Sequence, residues 1–225
     1  MSSGRDADVI LGEARRHHLA QVNGVLRRPG MYGRDEMAER LVLEAMAAVD
    51  GSLERWSTEC DGLRERDAFT PTGVGGAYSS ILPAGAVRDA TASVYAEVAH
   101  RLGWLELDRA LSEAEYERLS ADISGWLSRQ RTLADVIERF GPPSIWIGGT
   151  NPLYPKTLAY TTADRDHVLI CFWACPVLTD IRDQGTWGLR EDVHHHGEHG
   201  EEAAAASAFV HAGVQGRDRR VVPAR

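Results

Sequence analysis

Gly141-Pro142-Pro143-Ser144-Ile145-Trp146-Ile147-Gly148 marks the point where the texture of this chain changes. Proline removes a backbone donor and blocks helix continuation, and glycine commonly ends a helix, so the triplet is a stop signal. Beyond the prolines the chain is rich in β-branched and aromatic residues. Ser144–Gly148 and Thr157-Leu158-Ala159-Tyr160-Thr161 each read as a strand, and His167 through Ala174 is almost continuously apolar. Between Gly141 and Thr179 the only charged residues are Lys156, Asp164, Arg165 and Asp166. The last three of these make a polar turn, so the segment predicts an antiparallel three-stranded meander. Its third strand is expected to be buried on both faces, with helices over at least one of them.

Upstream of the prolines the spacing is helical. Val9, Ile10, Leu19, Val22 and Leu26 recur at about 3.6-residue spacing until Pro29. A second helix is predicted over Asp35 to about Asp50, with Met37, Leu41, Leu43, Met46 and Val49 as its apolar positions and Gly51 beyond its end. A third spans Ala86 to Leu102, sharing Val87, Ala90, Val94, Val98 and Leu102 on one face. Ser112-Glu113-Ala114-Glu115 is a capping box, in which the serine oxygen and the glutamate carboxylate satisfy free amides reciprocally. The helix it opens turns Tyr116, Leu119, Ile123, Trp126 and Leu127 inward. Thr132 caps a short helix through Phe140. Residues 52–85 are poorly patterned, and Thr70-Pro71-Thr72-Gly73-Val74-Gly75-Gly76 reads as a flexible loop.

The fold class is therefore α+β. A helical N-terminal two-thirds (helices about 7–140) packs on the small meander (strands about 144–175) as one domain over 1–179. Residues 180–225 are expected to be a flexible tail biased toward His, Glu, Ala and Arg, with a short helix starting at Glu201-Glu202-Ala203.

A 225-residue chain with 43% hydrophobic and 26% charged residues has enough apolar material for a sizeable core. The formal net charge of −8 disfavours non-specific binding to nucleic acid or an anionic membrane. The start, Met1-Ser2-Ser3-Gly4-Arg5-Asp6, carries no apolar run, and no stretch approaches the ~18 apolar residues of a membrane span. Three cysteines, Cys60, Cys171 and Cys175, are too few and odd in number for a disulfide framework. Cys171 and Cys175, four apart in a strand, would stand about 13 Å from each other. A cytoplasmic home is the simplest expectation.

The densest candidate chemistry is His194-His195-His196-Gly197-Glu198-His199. Its His195-x-x-Glu198-His199 spacing matches the H-x-x-E-H zinc-peptidase pattern, in which two histidines on one helical face hold the metal and the glutamate activates water. Zinc is thus the alternative cofactor, with His195 and His199 as ligands and Glu198 as the catalytic residue. Against a formed site stand Gly197 and Gly200, each costing roughly 1 kcal/mol of helix propensity, and the lack of an obvious third ligand. Elsewhere, Gly73-Val74-Gly75-Gly76 offers backbone amides to an anion but lacks the preceding strand and nearby lysine of a phosphate loop. Ser79-Ser80 lacks the G-x-S-x-G frame. His17 and His18 are expected at a helix's solvent edge, and His100 at a helix C-terminus, facing its negative dipole.

Arg28-Pro29-Gly30-Met31-Tyr32-Gly33 resembles the R-P-G-M-Y-I-G segment near the start of gyrase-type ATPases, and the resemblance covers roughly residues 20–51. In that family a helix bearing a metal-binding asparagine comes next. Here Ala48, four residues after Glu44, takes the place of that asparagine, and there is no D-x-G-x-G loop downstream. The resemblance therefore implies no ATPase activity for this chain. Locally, Pro-Gly makes a tight turn between two helices, with Met31 and Tyr32 at the junction.

The functional expectation is a non-catalytic protein-binding or regulatory protein whose partner is another protein, with no resident cofactor. Trp146, Tyr154 and Tyr160 are its candidate binding surface, since tryptophan and tyrosine are common interface anchors. A metal-dependent hydrolase is the second reading. A DNA-linked regulator built on adjacent short helices is the third.

Overall fold

The computed structural model of the chain describes residues 3–31, 33, 36–79, 82, 84–126, 131–151, 154–174 and 205–207. Among these, seven helices and five strands run in the order α1 (Ser3–Arg27), α2 (Glu36–Val49), α3 (Leu53–Glu65), α4 (Gly73–Tyr78), α5 (Ala84–Leu102), α6 (Glu113–Trp126), β1 (Arg131–Thr132), α7 (Leu133–Phe140), β2 (Ile145–Ile147), β3 (Lys156–Tyr160), β4 (Ile170–Ala174) and β5 (Ala205–Ser207). The α+β expectation holds.

The meander forms as its patterning predicts. β2 pairs antiparallel with β3 through Ile145–Ala159 and Ile147–Thr157, and β3 with β4 through Lys156–Ala174 and Tyr160–Ile170. Two short strands extend the sheet to the order β1-β5-β4-β3-β2. Every residue of β3 and β4 is buried, so both sheet faces are covered. On one face Ile145, Ile147, Ala159 and Cys171 join a core with α1, α2, α3 and α5. On the other, Leu158, Tyr160, Ile170 and Phe172 meet α6 and α7. That second core is aromatic: Phe172 stacks on Phe140 at 5.4 Å and meets Tyr160 edge-on at 5.6 Å.

The helix ends obey local chemistry. Ser112 N–H donates to Glu115 Oε2 at 2.8 Å, and Thr132 N–H to Asp135 Oδ2 at 2.7 Å, while each hydroxyl accepts from the amide three residues on. Gly51 and Gly141 come after α2 and α7 with φ of +66° and +75°, the left-handed geometry that glycine adopts without steric cost. α1 and α2 lie antiparallel about the Pro29-Gly30 turn, where Gly30 has φ +86°. Arg15 reaches back to Asp50 at 2.6 Å, which places the end of α2 beside the middle of α1.

Three expectations are corrected. Residues 52–85 hold α3 and α4; Trp56, Cys60 and Leu63, at helical spacing, are the buried stripe of α3. The segment read as a flexible loop holds the start of α4, and its glycines at 73 and 75 pack against Glu36. Ala205 and Ala206, read as part of a helix start, lie in β5 and pair with β4 and β1. Met37 and Leu41 also differ from the reading of α2: both are more than half exposed.

α5 is the axis of the molecule. Residues 91–100 are all buried, so the helix has no solvent face over that length. A helix enclosed on all sides buries whatever polar residues it carries, and that sets up the site.

Candidate functional site

A pocket of about 630 Å³ opens between α2, the 69–75 segment and α5, within the roughly 300–1,000 Å³ range of small-molecule sites. Glu36, Glu39 and Arg40 line it from α2, Phe69, Pro71 and Gly73 from the connecting segment, and Val87, Arg88 and Thr91 from α5. Glu36 and Glu39 lie in the first turn of α2, where acidic residues complement the helix dipole; as a surface pattern they carry no hint of burial.

Glu36 is fully engaged. Its Oε1 accepts from Val74 N–H at 2.8 Å and from the Tyr95 hydroxyl at 2.6 Å, and its Oε2 accepts from Gly75 N–H at 2.7 Å. The glycine-rich turn therefore does cradle an anion, but the anion is the protein's own carboxylate. Glycine is required by this approach: a Cβ on Gly73, whose φ is +85°, would sit 2.5 Å from Glu36 Oε2. Burial, together with the bond to Glu36, pushes the Tyr95 phenol far above its usual range.

Glu39 is only 4% exposed. The Gly30 backbone donates to it, while its Oε2 is buried with no partner. Burial first, and then the Glu36 carboxylate, push its carboxyl up to about 8, so it carries a proton at neutral pH. Asp89 is 1% exposed; burial pushes it up to about 6. Arg88 Nε stands 3.8 Å from its Oδ1, and the Lys156 ammonium and the Trp173 indole also act on it. Arg40 is committed elsewhere, to Glu44 Oε1 at 2.7 Å and over the Phe69 ring at 5.2 Å.

Asp89 begins a buried polar stripe on α5 that continues through Ser93, Glu97 and His100. Glu97 Oε1 pairs with Arg101 at 2.9 Å. His100 is buried rather than displayed at the helix end: its Nε2 bonds the Asp164 carbonyl at 3.0 Å, and burial pulls its imidazole below the usual range. Cys171, beside this stripe, is pushed up to about 12 by burial, which leaves its thiol unreactive at neutral pH. Lys156 is 1% exposed, and its ammonium donates to the carbonyls of Asn151 and Tyr154.

The residues singled out from the sequence fall in different places. Tyr160 is fully buried and donates its hydroxyl to the Gly141 carbonyl at 2.8 Å, which makes it a core residue. Trp146 is partly buried against the α6/α7 core. Tyr154 is 62% exposed. His195, Glu198, His199 and Cys175 lie outside the described residues, and among the described ones no three His, Cys, Asp or Glu side chains are grouped to hold a metal. Arg28 to Met31 make the turn that follows α1, with Met31 48% exposed; Tyr32 lies outside the described residues, and Ala48 sits exposed on α2. No described helix is long and apolar enough to cross a membrane.

Glu36, Glu39, Asp89 and His100 escaped the sequence reading as site residues. Glu36 and Glu39 lie on α2 and Asp89 and His100 on α5, and no local pattern of either helix marks them as buried; Arg88, next to Asp89 on α5, is exposed. Comparison with protein-family models, with curated proteins and with solved structures finds no match to this chain.

Proposed function

We propose that this chain is a non-catalytic protein-binding or regulatory protein of the cytoplasm, and that the N-terminal half of α1 is a contact surface for another protein. One observation carries the reading. Val9, Ile10 and Leu11 are 61%, 66% and 55% exposed. Successive helix residues point about 100° apart, so three in a row this exposed describe a helix with solvent on nearly every side. Since Asp50, at the end of α2, pairs with Arg15, the α1 turns before Arg15 run on past the end of α2. A free helical segment this short is marginal in water, and three large aliphatic side chains on it favour an apolar partner surface. Tyr154, exposed at the β2–β3 connection, is a second candidate anchor.

Affinity capture from the source cells tests the reading. A specific partner should be retained by the native chain and lost on Ile10→Glu or Leu11→Glu, with Tyr154→Ala reporting on the second surface. A partner set indifferent to all three substitutions removes the basis for the proposal. The metal-dependent hydrolase remains the second reading, resting on His195, Glu198 and His199. Metal analysis of untagged protein with His195→Ala and His199→Ala tests it independently.

A further inference from the structure

We propose that the pocket between α2, the 69–75 segment and α5 binds a primary ammonium group carried on an apolar body. Around Glu39 the acceptors outnumber the donors. Glu36 and Glu39 line the pocket, and the charges of Glu36 and Asp89 both act on Glu39; of the two guanidiniums that line it, Arg88 acts on Glu39 and Arg40 is paired with Glu44. Glu36 has its hydrogen bonds, whereas Glu39, 4% exposed, keeps Oε2 buried with no donor. Once ionised, Glu39 offers that oxygen as an acceptor, and a cationic donor would supply the missing bond and offset the Glu36 charge at the same time. A metal ion fits less well, because no three ligating side chains converge among the described residues. The walls set the rest of the ligand. Met37, Phe69, Pro71 and Val87 line the pocket with apolar surface, which suits an aromatic or aliphatic body a few carbons from the nitrogen. The site is separate from the α1 surface, so the fate of either proposal leaves the other standing.

Binding ionises Glu39. The carboxyl holds a proton below about 8, and the ammonium stabilises its charged form, so the proton passes to the buffer. Calorimetry with 2-phenylethylammonium chloride at pH 7, in phosphate and in a sulfonate buffer, reads this directly on the full chain. Saturable binding with proton release is expected, and the neutral isostere 2-phenylethanol should bind at least about tenfold more weakly. Glu39→Gln, which preserves the shape and charge of the protonated acid, should weaken the ammonium about tenfold and abolish proton release. The comparison of ammonium with alcohol on the native chain needs no variant to fold. Equal binding of the two probes, unchanged binding by Glu39→Gln, or no saturable binding of the ammonium overturns the proposal.

Discussion

Tyr95, buried midway along α5, donates its hydroxyl to Glu36 Oε1 at 2.6 Å, and the same carboxylate receives the amides of Val74 and Gly75. One side chain thus ties together α2, α4 and α5. Removing it leaves three donors without their acceptor. Glu36→Ala should destabilise the protein by about 3 kcal/mol and Tyr95→Phe by about 1.5 kcal/mol, measured by urea unfolding. Because the two share one bond, the double variant should cost less than the sum of the singles. Strict additivity would show that the bond contributes nothing.

Gly73 has a related role. Its φ of +85° and its distance from Glu36 leave no space for a methyl group. Gly73→Ala should cost roughly 1–3 kcal/mol through backbone strain alone, and more once Glu36 is displaced. Gly62→Ala, at an α3 position whose Cβ would meet nothing, is the control and should be neutral or slightly stabilising.

Glu39 predicts a pH dependence of definite sign. Its folded carboxyl titrates near 8 rather than 4.5 because of burial and the Glu36 charge. Between those values the folded state holds a proton that the unfolded state has lost, so this residue's contribution falls as pH rises and is gone above about 8. Asp89 adds a decline of the same sign that ends near 6. His100 opposes both: buried neutral, it weakens the fold as pH falls below the ordinary imidazole value. Glu39→Gln should therefore flatten the loss of stability between about pH 5 and 8 and leave the acid side unchanged. A variant profile parallel to the native one would contradict the assignment.

Lys156 is the only lysine in the chain, and it is buried against two carbonyls. In the native protein, acylation by an amine-reactive ester should spare Lys156. Partial denaturation should expose it, and mass spectrometry of the peptide over 150–160 reads the result. Rapid native labelling would mean that this connection opens readily.

Phe172 lies fully buried between Phe140, Tyr160 and Trp126. Phe172→Ala should cost about 3–5 kcal/mol, the range for emptying an aromatic core position. Trp146→Ala, half-buried on the neighbouring strand β2, should cost distinctly less.

Much of the fold was written locally. The capping boxes at Ser112 and Thr132, the proline stop after Phe140 and the alternation in β2 and β3 all act within a few residues, where sequence spacing is geometry. α3 was equally local: Trp56, Cys60 and Leu63 carry a helical period diluted by the charged residues between them. The pocket was not legible. Glu36 meets Val74 and Gly75 across 38 and 39 residues of chain and Tyr95 across 59. Two acids in a helix's first turn look the same in sequence whether they face water or a glycine-rich turn.

The sequence by itself determined the α+β class, the helix ends and the three-stranded meander, because hydrogen-bond capping and side-chain periodicity depend on near neighbours. Only the tertiary structure decided which polar groups lost their water. Desolvation is a property of everything packed around a group, and here it singled out Glu39, Asp89 and His100 on helices whose local patterns gave no sign of it.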